Sequence, residues 1–131
     1  PEPAPAPAPE PAPAPASEPS AETRKEFEAR QRAERKAFEA TQKAEERAFE
    51  QQQEADEVAF ERQQEAAEDA FRREWRTKQE RREFERKQDA EERLFDTQQD
   101  AEERRFEERQ RAERQAFQDR QRAEREAFLA A

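Results

Sequence analysis

The chain of 131 residues contains no Gly, Cys, His, Met or Tyr, and all nine of its Pro residues lie within the first nineteen positions. Each absence excludes something. Without Cys there are no disulfides and no thiolate metal sites, a state compatible with either side of a membrane. Without His, Cys or Tyr, and without a Gly-rich loop, the usual nucleophiles, proton shuttles and phosphate cradles are missing, so the sequence does not read as an enzyme. The same absences, with no clustered acidic loop, predict no cofactor and no metal. Runs of apolar residues long enough to span a bilayer or form a signal-peptide core are also absent. No Met stands at position 1, which reads as a fragment or a processed product, with any address signal expected upstream of Pro1.

Hydrophobic residues make up 31% and charged residues 47%, proportions that cannot build a compact globular core and that alone would suggest disorder. The spacing of phenylalanine argues otherwise. Phe recurs at 27, 38, 49, 60 and 71, and again at 84, 95, 106, 117 and 128. Every interval is eleven residues except the thirteen between Phe71 and Phe84, which enclose the only tryptophan, Trp75. Eleven residues make three helical turns at about 3.67 per turn, so the rings return to nearly one azimuth and form a stripe. Beyond Pro19 there is no strong helix breaker, and Ala, Glu, Gln, Arg and Lys dominate.

The repeat carries more than Phe. Gln stands four residues after each Phe at 31, 42, 53, 64, 88, 99, 110 and 121, and only after Phe71 does Trp75 take that slot. An acid usually stands four before, as at Glu34, Glu45, Asp56, Glu91 and Glu113, while Ala occupies most positions one and five before. On a helix the acid, Phe and Gln fall within roughly 40° of one another and the alanines lie to one side. The seam is therefore aromatic layers separated by polar ones, with a smooth flank. Its Gln residues either fix register or flank the seam and stay wet.

The expected fold is all-α: one very long helix over residues 20–131, built on an eleven-residue (hendecad) repeat and forming a coiled coil or helical bundle. A Pro/Ala-rich tether over 1–19, extended near polyproline II, precedes it. The helix is expected to start between Ser20 and Thr23, where Thr23 and Glu26 match a capping box. Acid-to-base pairs four apart, such as Glu26 with Arg30 and Asp89 with Arg93, favour helix by about 0.2–0.5 kcal/mol each.

The phase break at 72–83 allows two outcomes. An unbroken helix would turn its second Phe stripe by about 160–200° and use opposite faces for different partners; a hairpin near Thr77 would lay the halves together. Lacking Gly or Pro there, the sequence favours the continuous rod. Trp75 either anchors a partner or, the favoured reading, fills the gap that the break leaves in the packing. Charge is uneven as well: residues 50–70 hold eight acids and one base, and 72–87 hold eight bases and four acids. Antiparallel or staggered neighbours could set one block against the other, or both could simply face water.

The candidate self-association seam is Phe27, Phe38, Phe49, Phe60, Phe71, Trp75, Phe84, Phe95, Phe106, Phe117 and Phe128. The expected function is structural, a scaffold, spacer or filament subunit that assembles with its own copies, with room for a second protein along the rod. The alternatives are a helix coating an apolar surface (lipid, granule or vesicle wall) and a monomeric charged-helix spacer. A net charge of −9 argues against nucleic acid.

The Ala/Pro/Glu run resembles linkers of bacterial envelope-spanning proteins and of multidomain acyltransferases, which implies a cell-envelope or extracytoplasmic setting, with a cytoplasmic one open. The eleven-residue period is similar to that of desiccation-protective proteins, of lipid-surface helices such as synucleins and exchangeable apolipoproteins, and of the gas-vesicle outer-surface protein. Lipid-surface helices carry a broader apolar face edged with Lys, whereas this repeat sets one Phe among Glu and Gln and prefers Arg, a departure that argues against membrane binding.

Overall fold

The computed structural model describes residues 3–5 and 22–131; the expected tether over 1–19 and the cap at Ser20 lie essentially outside the described residues. The described residues form two long α-helices, α1 (Arg24–Arg73) and α2 (Lys78–Ala130), and no strand. The chain divides into two units, Pro1–Lys36 and Ala37–Ala131.

In the first unit, Thr23 opens α1 as its T-x-x-E spacing predicts: its Oγ1 accepts from the Glu26 N–H at 3.2 Å, satisfying a donor that the first turn would otherwise leave bare. Arg30 donates to Glu22 at 3.0 Å and to Glu34 at 3.1 Å, and its guanidinium lies 5.1 Å from the centre of the Phe27 ring. The bond to Glu22, then the one to Glu34, hold the Arg30 pKa above its ordinary value. Phe27 and Gln31 are both buried.

The second unit corrects the unbroken rod. Residues 74–77 leave the helix, and the two helices run antiparallel, as the ring pairs Phe38–Phe117, Phe49–Phe106, Phe60–Phe95 and Phe71–Phe84 require. A Gly was expected at such a turn because helices often end in a left-handed residue. This turn needs none, since no described residue has a positive φ. Thr77 instead takes extended backbone (φ −70°, ψ 160°) and caps α2, accepting from the Glu80 N–H at 3.2 Å. Thr77 and Glu80 repeat the capping spacing of Thr23 and Glu26. It is a start signal inside the thirteen-residue gap, legible without any breaker.

Arg76 completes the turn. Its guanidinium sits 5.2 Å from the Phe71 ring centre, pairs with Glu74 and lies 3.6 Å from Glu80. Trp75, expected to fill the gap, is instead 90% exposed. Arg76 lies over the last ring of the seam, so the indole is left in water.

Candidate functional site: the phenylalanine seam and the hairpin tip

Within the second unit the seam is a ladder of seven rungs. Four are Phe pairs whose residue numbers always add to 155, with ring centroids 4.2–4.3 Å apart and planes within 8° of parallel. Between them lie three Gln rungs whose numbers add to 152. Gln42 and Gln110 each donate the side-chain amide to the other's backbone carbonyl at 3.0 Å, and Gln53 and Gln99 do the same at 3.2 and 3.1 Å. A helical carbonyl bonded to its own chain keeps a second lone pair, and the facing amide uses it. On the rung nearest the tip Gln88 donates to Gln64 O at 3.1 Å, while the Gln64 amide turns to the Glu91 carboxylate at 3.1 Å.

This arrangement decides the role of Gln: these residues bond across the helix pair. A slip by one residue would swing the aromatic stripe off the partner by about 100° and break the reciprocal bonds. Each bond contributes about 1 kcal/mol net, and each stacked ring pair about 0.5–1.5 kcal/mol beyond its buried area. The ladder also explains the substitution at Trp75. In this register its partner would be residue 77, so both positions fall in the turn and no facing helix is present to receive a Gln.

The rings are not equally covered. Phe106 and Phe117 are each 7% exposed, and Arg109 and Arg120, three residues on, lie 5.4 and 5.3 Å from their ring centres. Phe27, with Arg30 three residues on, is buried in the same way. Phe38, Phe49, Phe60, Phe71, Phe84, Phe95 and Phe128 are half-buried. An Arg three residues after Phe reaches back over the ring from the alanine side of the helix, and the F-x-x-R spelling at 27, 106 and 117 was a signal in the sequence that spacing by Phe alone passes over. Around Phe60 and Phe95 the corresponding positions are Gln63 and Gln98, and there a cleft of about 550 Å³ opens between the helices, lined by Ala59, Phe60, Gln63, Leu94, Phe95 and Gln98 among others. Leu94, which lines it, is 58% exposed; Val58, 40% exposed, does not line it.

Charge follows the same division. The acidic block 50–70 meets only the last residues of the basic block; antiparallel pairing sets it against 85–105, which holds eight acids and five bases. The waist so formed carries a net charge of −10, while the tip over 71–84 holds six bases and three acids. Several of the sequence's acid-to-base pairs also resolve differently: Arg93 and Arg104 turn their Nε to the backbone carbonyls of Asp89 and Asp100 at 3.3 and 3.4 Å. Most ion pairs four apart run base first, as in Lys87 with Glu91 and Arg109 with Glu113, while Glu68 with Arg72 runs acid first.

Among the described residues no group of three or more carboxylates is placed to hold a metal ion, and no helix is long and apolar enough to cross a membrane. Comparison with known protein families, with curated proteins and with solved structures finds no match for this chain.

Proposed function

We propose that this chain is a structural protein and not an enzyme: a stiff helical hairpin, in effect an antiparallel coiled coil on eleven-residue repeats, that serves as a spacer and scaffold subunit behind a Pro/Ala-rich tether. The observation that carries this reading is the unbroken register of the ladder, in which aromatic and amide rungs alternate with constant residue sums along some 50 Å of helix. Such a ladder uses its apolar side chains for alignment and leaves the opposite faces charged and wet. Stiffness is what that investment yields. The tether would set reach, and the faces left beside the seam would set which copies meet.

The test is circular dichroism with sedimentation across a dilution series of the full chain. The hairpin reading expects helix content that does not change with dilution, because the seam closes within one chain, whatever happens to the mass. Helix that melts in step with dissociation would mean the seam is closed only between chains. A chain unfolded in buffer that gains helix on lipid vesicles would favour the surface-coating alternative.

A further inference from the structure

Resting on that structural reading, we infer that two copies of the hairpin dock reciprocally, the Trp75 tip of each lying in the acidic waist cleft of the other. Three observations converge on this pairing. Among the described residues, two of the four large hydrophobic side chains left exposed fall at these places: Trp75 at the tip and Leu94 in the lining of the waist cleft. The tip is basic and the waist carries −10, opposite charges that the hairpin does not bring together. The waist cleft is also where the ring pair Phe60–Phe95 lacks an arginine lid.

The tip cannot serve its own waist. Sixteen residues separate Trp75 from Ala59, about 25 Å of stiff helix at 1.5 Å per residue. A second copy running the opposite way brings tip and waist into contact twice by one two-fold axis, so the assembly closes at two chains. Alanine at 55, 59, 66, 70 and 90 lets the helices approach closely where they overlap. A parallel arrangement would instead press one acidic waist on the other. An overlap of only about 25 Å makes a small interface, in the size range of weak or transient contacts, with Trp75 as its anchor.

Trp75 is the only tryptophan, so its fluorescence reports on the contact directly. In the full chain, sedimentation from 1 µM to 1 mM at low salt should show mass rising towards two chains (probe range on the order of a weak complex). The Trp75 emission should move to shorter wavelength and lose access to a soluble quencher over the same range. Raising salt should weaken association at least about tenfold. Leu94→Glu, an exposed position, should abolish the mass change with helix content intact. A chain with Arg72, Arg73 and Lys78 all changed to Glu should fail to dimerise alone, and should pair with a chain in which Asp56 and Glu102, two acids lining the cleft, are changed to Lys. A dimer in which Trp75 stays open to quencher, a helical monomer at every concentration, or an emission shift produced only by anionic vesicles would each overturn the inference. In the first two cases the hairpin spacer would still stand; a chain without helix in buffer would remove both.

Discussion

The stretch of the seam around Phe106 and Phe117 and the stretch around Phe60 and Phe95 are built from the same kinds of rung, yet only the first carries arginine lids. Arg109 and Arg120 lie over their rings there, and Phe106 and Phe117 fall to 7% exposure. At the waist Gln63 and Gln98 occupy the equivalent positions, the cleft stays open, and Leu94 in its lining is left exposed. A single side chain three residues after Phe separates a seam that is finished within the chain from one that still offers apolar surface. The eleven-residue pattern thus sets alignment, and the residues beside it set what is left for a partner.

The largest effect is expected from removing the boundary between the two helices. Deleting Trp75 and Arg76 brings Phe71 and Phe84 to eleven residues apart and shortens the turn, while the remaining residues are all helix-compatible. A continuous helix would then carry every ring on one azimuth, and two such chains would pair antiparallel. Sedimentation should show two chains at all accessible concentrations, and small-angle scattering a particle nearly twice as long. A hairpin monomer from this variant would show that the thirteen-residue interval does not set the topology.

A smaller effect distinguishes the two stretches directly. Phe106→Ala removes a fully covered ring and should cost about 3–5 kcal/mol, whereas Phe60→Ala removes a half-covered one and should cost about half as much. Urea midpoints compared at constant slope measure the difference. Equal losses would mean that the lid does not alter how much each ring contributes.

The helix, the stripe and the polar layering were legible from spacing alone because they depend on periodicity, which a sequence displays. The turn was misread because its usual punctuation is absent: Thr77 ends the gap by capping α2 from extended backbone, and Arg76 covers Phe71 without any left-handed residue. Three residues did carry the information. Thr77 with Glu80 is a helix start, and Trp75 stands where a Gln would have no facing helix. Pairing across the seam was less accessible, since a Gln bonded to a facing carbonyl and a Gln bonded to water look alike in sequence. The arginine lids failed to register for a related reason: among so many charged residues, three Arg at one offset from Phe are visible only once the rings are seen covered.

The Gln rungs supply the next comparison. Gln99→Ala deletes one of two reciprocal bonds and should cost about 1 kcal/mol, and the double change Gln53→Ala with Gln99→Ala about 2 kcal/mol. Gln64→Ala near the tip loses only the bond to the exposed Glu91 carboxylate and should cost less. Thermal unfolding of the three variants orders them. If Gln64→Ala proves the most damaging, the reciprocal bonds are not what holds the register.

The smallest effect on stability is expected from moving a lid. Gln98→Arg places a guanidinium three residues after Phe95, where Arg109 stands after Phe106, and should add about 0.5–1 kcal/mol by covering the ring. An added positive charge in the −10 waist would also stabilise, so the comparison needs Gln98→Lys, which supplies the charge without a planar group. If coverage is the cause, Arg gains more than Lys and the gap survives in high salt, where surface attraction is screened. The same change fills the cleft in which Trp75 of a second copy is proposed to sit. A chain that becomes slightly more stable while its tryptophan stays quencher-accessible at high concentration would show that the open waist serves assembly at a small cost in folding. Equal gains from Arg and Lys, both lost in salt, would reduce the difference between the two stretches to charge alone.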